Sequence, residues 1–215
     1  MSKKTGTKKK QTKQKEKQQG FNDLLIPMLL ILCIMPFIVR LALYSCGYAK
    51  YPWYSDEDVI MDLYSYYRCY FFEVVAIFTA AVLAFRIGLF PENRKKMKIF
   101  IPLAVYAGMI LLSILLSVNM GASFTGNFYQ FQGVLVLLGY LVFCLYAYQV
   151  MEQEKDYKTI WYGIVAVFIV MAVLGIFQIA KKDLLDFAWM QRLVMSKEQF
   201  AEYGGTLETI FSGNN

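Results

Sequence analysis

An uncharged stretch, Gly121-Ala-Ser-Phe-Thr-Gly126-Asn-Phe-Tyr-Gln-Phe-Gln-Gly133, gathers groups suited to holding a polar, uncharged ligand. Hydroxyls and side-chain amides both donate and accept hydrogen bonds. Polyols such as glycans are read by such groups, usually with aromatic faces alongside. Gln130 and Gln132 supply amides, and Phe128, Tyr129 and Phe131 supply rings. Tyr129, Gln130 and Gln132 are therefore the candidate substrate-binding residues. A tight or re-entrant loop with a purely structural purpose has the same composition.

A second constellation lies at Tyr44–Arg68, where Asp56, Glu57, Asp58 and Asp62 stand among Tyr48, Tyr51, Trp53, Tyr54, Tyr64, Tyr66 and Tyr67. Tyr and Trp favour the headgroup zone of a bilayer, so an aromatic belt with a solvated acidic turn accounts for it. A sugar- or cation-binding lip is the alternative. The acidic run lacks the spacing of a calcium loop, and no metal is expected. The chain has no histidine, which removes histidine acid–base catalysis and most zinc chemistry. No cofactor is expected either.

The elements that position these groups are five apolar runs: Leu24–Leu43, Cys69–Phe90, Ile99–Val118, Gln132–Val150 and Thr159–Ala180. Each is close to the ~20 residues a helix needs to cross ~30 Å of hydrocarbon. In lipid only a helix satisfies such a segment's backbone. A hydrophobic content of 58% with 17% aromatics agrees. The expected fold is all-α: a polytopic membrane helix bundle of about five transmembrane helices. Pro27, Pro36 and Pro102 are expected to kink their helices.

Charge orients the bundle. Residues 1–20 carry eight lysines and one acid, Glu16, against a net charge of +6 for the whole chain. A basic tail without interleaved aromatics beside a membrane span fits contact with anionic lipid headgroups better than nucleic acid, with Lys8, Lys9 and Lys10 as contact residues. With the tail inside, the inner segments hold fourteen basic residues and the outer ones six. The N-terminus is thus expected in the cytoplasm and residues 181–215 outside. The implied organisation is a disordered lysine-rich tail at 1–20, a five-span region at 21–180 and an outer interfacial helical segment at 181–215. In that segment Ser196 and Gln199 have capping-box spacing, with Gly204-Gly205 as a helix end.

Few ionisable residues fall inside the spans. Arg40 and Arg86 lie near span ends and can snorkel. Glu73 is placed to pair with Arg68 or Arg40, or to bind a polar substrate. Cys33 and Cys144 read as packing residues, whereas Cys46 and Cys69 flank the first outer loop and a disulfide between them is possible.

From about residue 91 to 215 the pattern resembles the amino-terminal half of the O-antigen ligase and polymerase superfamily. Its serine-rich span end, its glycine- and aromatic-bearing outer loop and the glycine opening the next span are matched by Ser113, Ser117, Gly126, Tyr129 and Gly133. Its Gly-x-x-Gln at an outer span end is matched by Gly175-Ile-Phe-Gln178, which adds Gln178 to the candidate site. Gly205-Thr206-Leu207 and Asn214-Asn215 look like the start of its next outer stretch. The resemblance implies a GT-C-type glycosyltransferase of about a dozen spans in a bacterial plasma membrane. Such enzymes move a glycan from an undecaprenyl-diphosphate carrier to an acceptor at the outer face, without nucleotide sugar or metal. In the family, arginines hold the diphosphate and a later outer loop supplies the catalytic Arg and His. That part has no counterpart here, so these residues read as an amino-terminal portion. A non-catalytic membrane scaffold and a transporter half are the competing classes; a transporter half predicts mid-membrane charges and broken helices that the spans scarcely offer.

Overall fold

The computed structural model describes residues 22–45, 59–92, 97–118, 120–126, 130–179 and 187–203. Lys8, Lys9, Lys10, Cys46, the Asp56–Asp58 triplet, Phe128, Tyr129 and Gly204-Gly205 lie outside them. The structure is mostly helical, with α1 (Asp23–Phe37), α2 (Ser65–Leu89), α3 (Ile101–Leu115), α4 (Met120–Thr125), α5 (Val134–Val150), α6 (Glu154–Ile179), α7 (Ala188–Val194) and α8 (Lys197–Tyr203). One antiparallel ribbon joins β1 (Ala42–Ser45) to β2 (Val59–Asp62), pairing Ala42 with Asp62 and Ser45 with Val59.

Among the described residues two helices, α2 and α6, are long and apolar enough to cross a membrane. Of their most apolar stretches only 28% and 6% are buried, and α6 leaves Trp161, Phe168 and Ile179 well exposed. The apolar helices α1, α3 and α5 are shorter.

Local chemistry explains where the helices differ from the apolar runs. α1 stops at Phe37 rather than Leu43 because Pro36 sits in a closing 3-10 turn, Met35–Phe37, and the chain turns extended at Ile38. Residues expected to finish that span instead form β1 and the strand's approach. A π-helical stretch, Leu30–Ile34, precedes the turn. Pro102 does not kink α3; it occupies the first turn, where its missing N–H costs nothing. Pro27 likewise opens the α-helical part of α1. α2 begins at Ser65, ahead of the apolar run, because one Asp62 carboxylate oxygen accepts from the Ser65 and Tyr66 amides at 2.6 and 2.7 Å. α6 starts at Glu154 for a related reason: Asp156 accepts from the Gln153 amide at 3.1 Å, and Glu154 pairs with Lys158 at 2.9 Å.

The helices α1, α2, α3, α5 and α6 run alternately up and down. Buried Phe72, Ala76 and Val136 form the α2–α5 seam, flanked by Ile31 and Met35 of α1. Gly139 leaves room there for the Phe72 ring and the Ala76 methyl group. Ile110 and Ile114 tie α3 to Val134 of α5. At the Asn22 end, Leu25, Leu83, Tyr146, Val150 and Ile160 pack together, and the Tyr146 hydroxyl donates to the Leu24 carbonyl at 2.7 Å. The Asn22 amide also donates to buried Asp156 at 3.3 Å, joining the starts of α1 and α6.

Candidate functional site

The opposite end of the bundle collects nearly all of the described candidate residues. Here β1–β2, the starts of α2 and α5, the end of α6 and the short helix α7 meet. The Gly-containing loop is closed by backbone contact. Gly126 has φ +81, the left-handed conformation that ends α4, and its amide donates to the Ala122 carbonyl at 2.9 Å. A Cβ on Gly126 would stand 2.5 Å from the Gln132 nitrogen, and one on Gly133 would overlap the Phe124 carbonyl oxygen. Only glycine fits either position without movement of the main chain. The Ser123 hydroxyl, donating to Ser117 at 2.6 Å, anchors the loop to the end of α3.

Phe131 behaves differently from the expectation of an aromatic face offered to a ligand. It is buried, with φ +51, and stacks edge-on to Tyr44 and Tyr66 at 5.5 and 5.3 Å. Ile60 of β2 closes over it. Its role is to pin the loop under the β-ribbon. Gln130 and Gln132, on either side, are exposed. The Gln130 carbonyl accepts from the Cys69 thiol at 3.3 Å, and Cys69 is a free thiol.

Gln178 lies elsewhere, in a cleft of about 390 Å³ between α1, α2, α6 and α7. Gly175, Met171 and Leu174 line it from α6, and Met190, Leu193 and Val194 from α7. Arg68 and Tyr64 supply its polar side. The Arg68 guanidinium donates to the Pro36 carbonyl at 2.7 Å and the Ile38 carbonyl at 3.0 Å, and stands 5.2 Å from the Tyr64 ring. The expected pairing with Glu73 does not form: Arg68 is spent on the carbonyls freed where α1 ends, and Arg40 lies 5.3 Å over the Tyr67 ring. Among the described residues no cluster of potential metal ligands occurs.

Gln178, a candidate from the sequence, lines this cleft, as do Arg68 and Tyr64, which were not among the candidate substrate-binding residues. The two belong to a loop that reads as an aromatic belt. The signal for Arg68 was the proline in the first apolar run, where a helix end leaves orphan carbonyls that need a donor. α7 closes the cleft because the Leu41 amide donates to the Val194 carbonyl at 2.9 Å, with Leu41, Leu63, Val194 and Met195 packed beneath. The Ser196–Gln199 capping box opens α8 as its spacing anticipates, with reciprocal bonds of 3.0 and 3.2 Å.

Compared with known proteins, the chain matches no family model, no curated protein and no solved structure.

Proposed function

We propose that the chain is a five-span, multi-pass protein of a bacterial plasma membrane and the amino-terminal part of an O-antigen ligase- or polymerase-like glycosyltransferase, handling a lipid-linked glycan at the outer face. One observation carries the reading: the cleft that puts Gly175 and Gln178 beside Arg68 and Tyr64. Its lining is mostly apolar and also includes Gln178, Arg68 and Tyr64, with the Arg68 guanidinium 5.2 Å from the Tyr64 ring. An amphiphile with an anionic or polyol head and a hydrocarbon tail suits that combination. The basic tail on the other side supports the cytoplasmic placement of the N-terminus through anionic headgroups. At 1.5 Å rise per residue, α1, α3 and α5 span most of a thinned hydrocarbon layer, and flanking turns extend them.

The test is glycan transfer from a lipid-diphosphate donor by the full-length protein. Gln178→Ala is expected to lower transfer about tenfold by removing one hydrogen-bonding group from the bound head. Alanine at Tyr129, Gln130 and Gln132 is expected to weaken transfer through the neighbouring loop. Wild-type transfer by all four variants would remove the site. Alternating-side labelling of the loops, described below, tests the span number separately. A non-catalytic scaffold is favoured instead by one observation, the exposure of Gln130 and Gln132 away from the cleft.

A further inference from the structure

The Asn22 end holds a second cavity, of about 600 Å³, between the start of α1, the end of α2 and the turn after α5. Leu24, Val82, Phe85 and Phe90 make most of its lining apolar. Phe85 and Phe90 are themselves 69% and 57% exposed, so the lining runs out onto the bare apolar flank of α2. Charge enters from Arg86, on the last turns of α2, and from the carboxylates of Glu92 and Glu152. The Arg86 Nη1 is sealed from solvent and has no hydrogen-bond partner. The other buried orphans among the described residues, both amide atoms of Gln149, also lie near this end, one turn beyond Tyr146.

A guanidinium nitrogen without an acceptor in apolar surroundings is costly, and its planar fork matches the oxygens of a phosphate. A simple phosphate monoanion would meet opposition from Glu92. A head that carries an ammonium beyond its phosphate meets both charges with the right sign. An apolar channel continuous with the lipid-facing flank then accommodates an attached acyl chain. We propose that this cavity is a binding site for a zwitterionic aminophospholipid, its phosphate on Arg86, its ammonium on Glu92 and an acyl chain along Val82 and Phe85. The proposal rests on α2 crossing the membrane and is independent of the glycan-transfer reading.

Native mass spectrometry of the full chain, delipidated and then titrated with defined lipids, tests it. The wild type is expected to retain one phosphatidylethanolamine about tenfold more tightly than phosphatidylglycerol, and more tightly still than diacylglycerol. Arg86→Gln should bring phosphatidylethanolamine retention down to the diacylglycerol level, and Arg86→Lys should restore part of it. Glu92→Gln should keep phosphate-dependent retention but erase the preference for the amine-bearing head. Because Glu92 is exposed beyond the end of α2, this variant carries the test even if Arg86→Gln fails to fold. Equal retention of phosphatidylethanolamine and diacylglycerol by the wild type, or an unchanged head preference in Glu92→Gln, overturns the proposal. So does equally tight binding of free phosphoethanolamine, which would make the occupant a soluble anion rather than a lipid.

Discussion

Gly139 of α5 faces Phe72 of α2 with no space for a methyl group between them. A Cβ there would stand 2.6 Å from the Phe72 Cε1 and 3.0 Å from the Ala76 Cβ. Phe72 is buried, and its ring also meets Tyr140 and Phe143 at 4.9 and 5.4 Å, so it has little freedom to retreat. Gly139→Ala is expected to destabilise the α2–α5 pair by about 1–3 kcal/mol, the usual effect of overpacking. Phe72→Leu should recover part of that loss in the double variant. Thermal unfolding in detergent measures both, and additive losses without recovery would contradict the contact.

The Gly126–Gly133 closure makes a sharper steric prediction. Gly133→Ala forces a methyl group onto the Phe124 carbonyl, and Gly126→Ala adds a left-handed backbone penalty of about 1 kcal/mol to a main-chain clash. Both should open the loop and raise its proteolytic cleavage. Gly88→Ala and Gly175→Ala, where a Cβ would meet nothing within 4 Å, serve as controls and should cleave like the wild type.

Arg68 should matter for stability, whereas Gln178 should not. Arg68→Met strips donors from the Pro36 and Ile38 carbonyls, which at a half-buried site costs about 1 kcal/mol each. A lower melting midpoint is therefore expected for Arg68→Met and an unchanged one for Gln178→Ala. If Gln178→Ala melts early, any loss of transfer in that variant reflects folding and not ligand contact.

Single cysteines introduced at Gln132 and Gln153, in a background lacking the native thiols, should label from opposite sides of the membrane. The two positions bracket α5, and both are exposed. With a membrane-impermeant maleimide on intact cells, Gln132→Cys is expected to react and Gln153→Cys to react only after permeabilisation. Labelling of both from one side would sink the five-span arrangement.

The sequence exposes this fold unevenly. Apolar length locates α2, α5 and α6 well, because a long lipid-compatible run has few alternatives to a helix. Helix ends were less legible. Asp62 reads as part of a solvated acidic turn until its carboxylate is seen to cap α2, and nothing in the sequence singles out Asp156, whose carboxylate caps α6. The β1–β2 ribbon was hidden because Leu41–Leu43 continues the apolar run of α1, and only Pro36 warned of the break. In the candidate site, Gln178 was visible through its spacing from Gly175, a local pattern. Arg68 was not, since its acceptors, Pro36 and Ile38, are brought to it by the turn of the chain. Phe131 was misjudged for the same reason: ring chemistry is written in the residue, but burial depends on Tyr44 and Tyr66 from a distant segment.

The hydrogen bond from Leu41 to Val194 also sets a timetable. During synthesis Leu41 leaves the ribosome long before Val194 exists, and its amide must rest against another acceptor while α2 to α6 are made. An orphaned backbone donor is tolerated only where a temporary acceptor is at hand. The exit from α1 is thus left unfinished until nearly the last described helix arrives, and the cleft around Gln178 can take its shape only then. Biogenesis of this chain should pass through a late intermediate with the bundle assembled and that mouth still open.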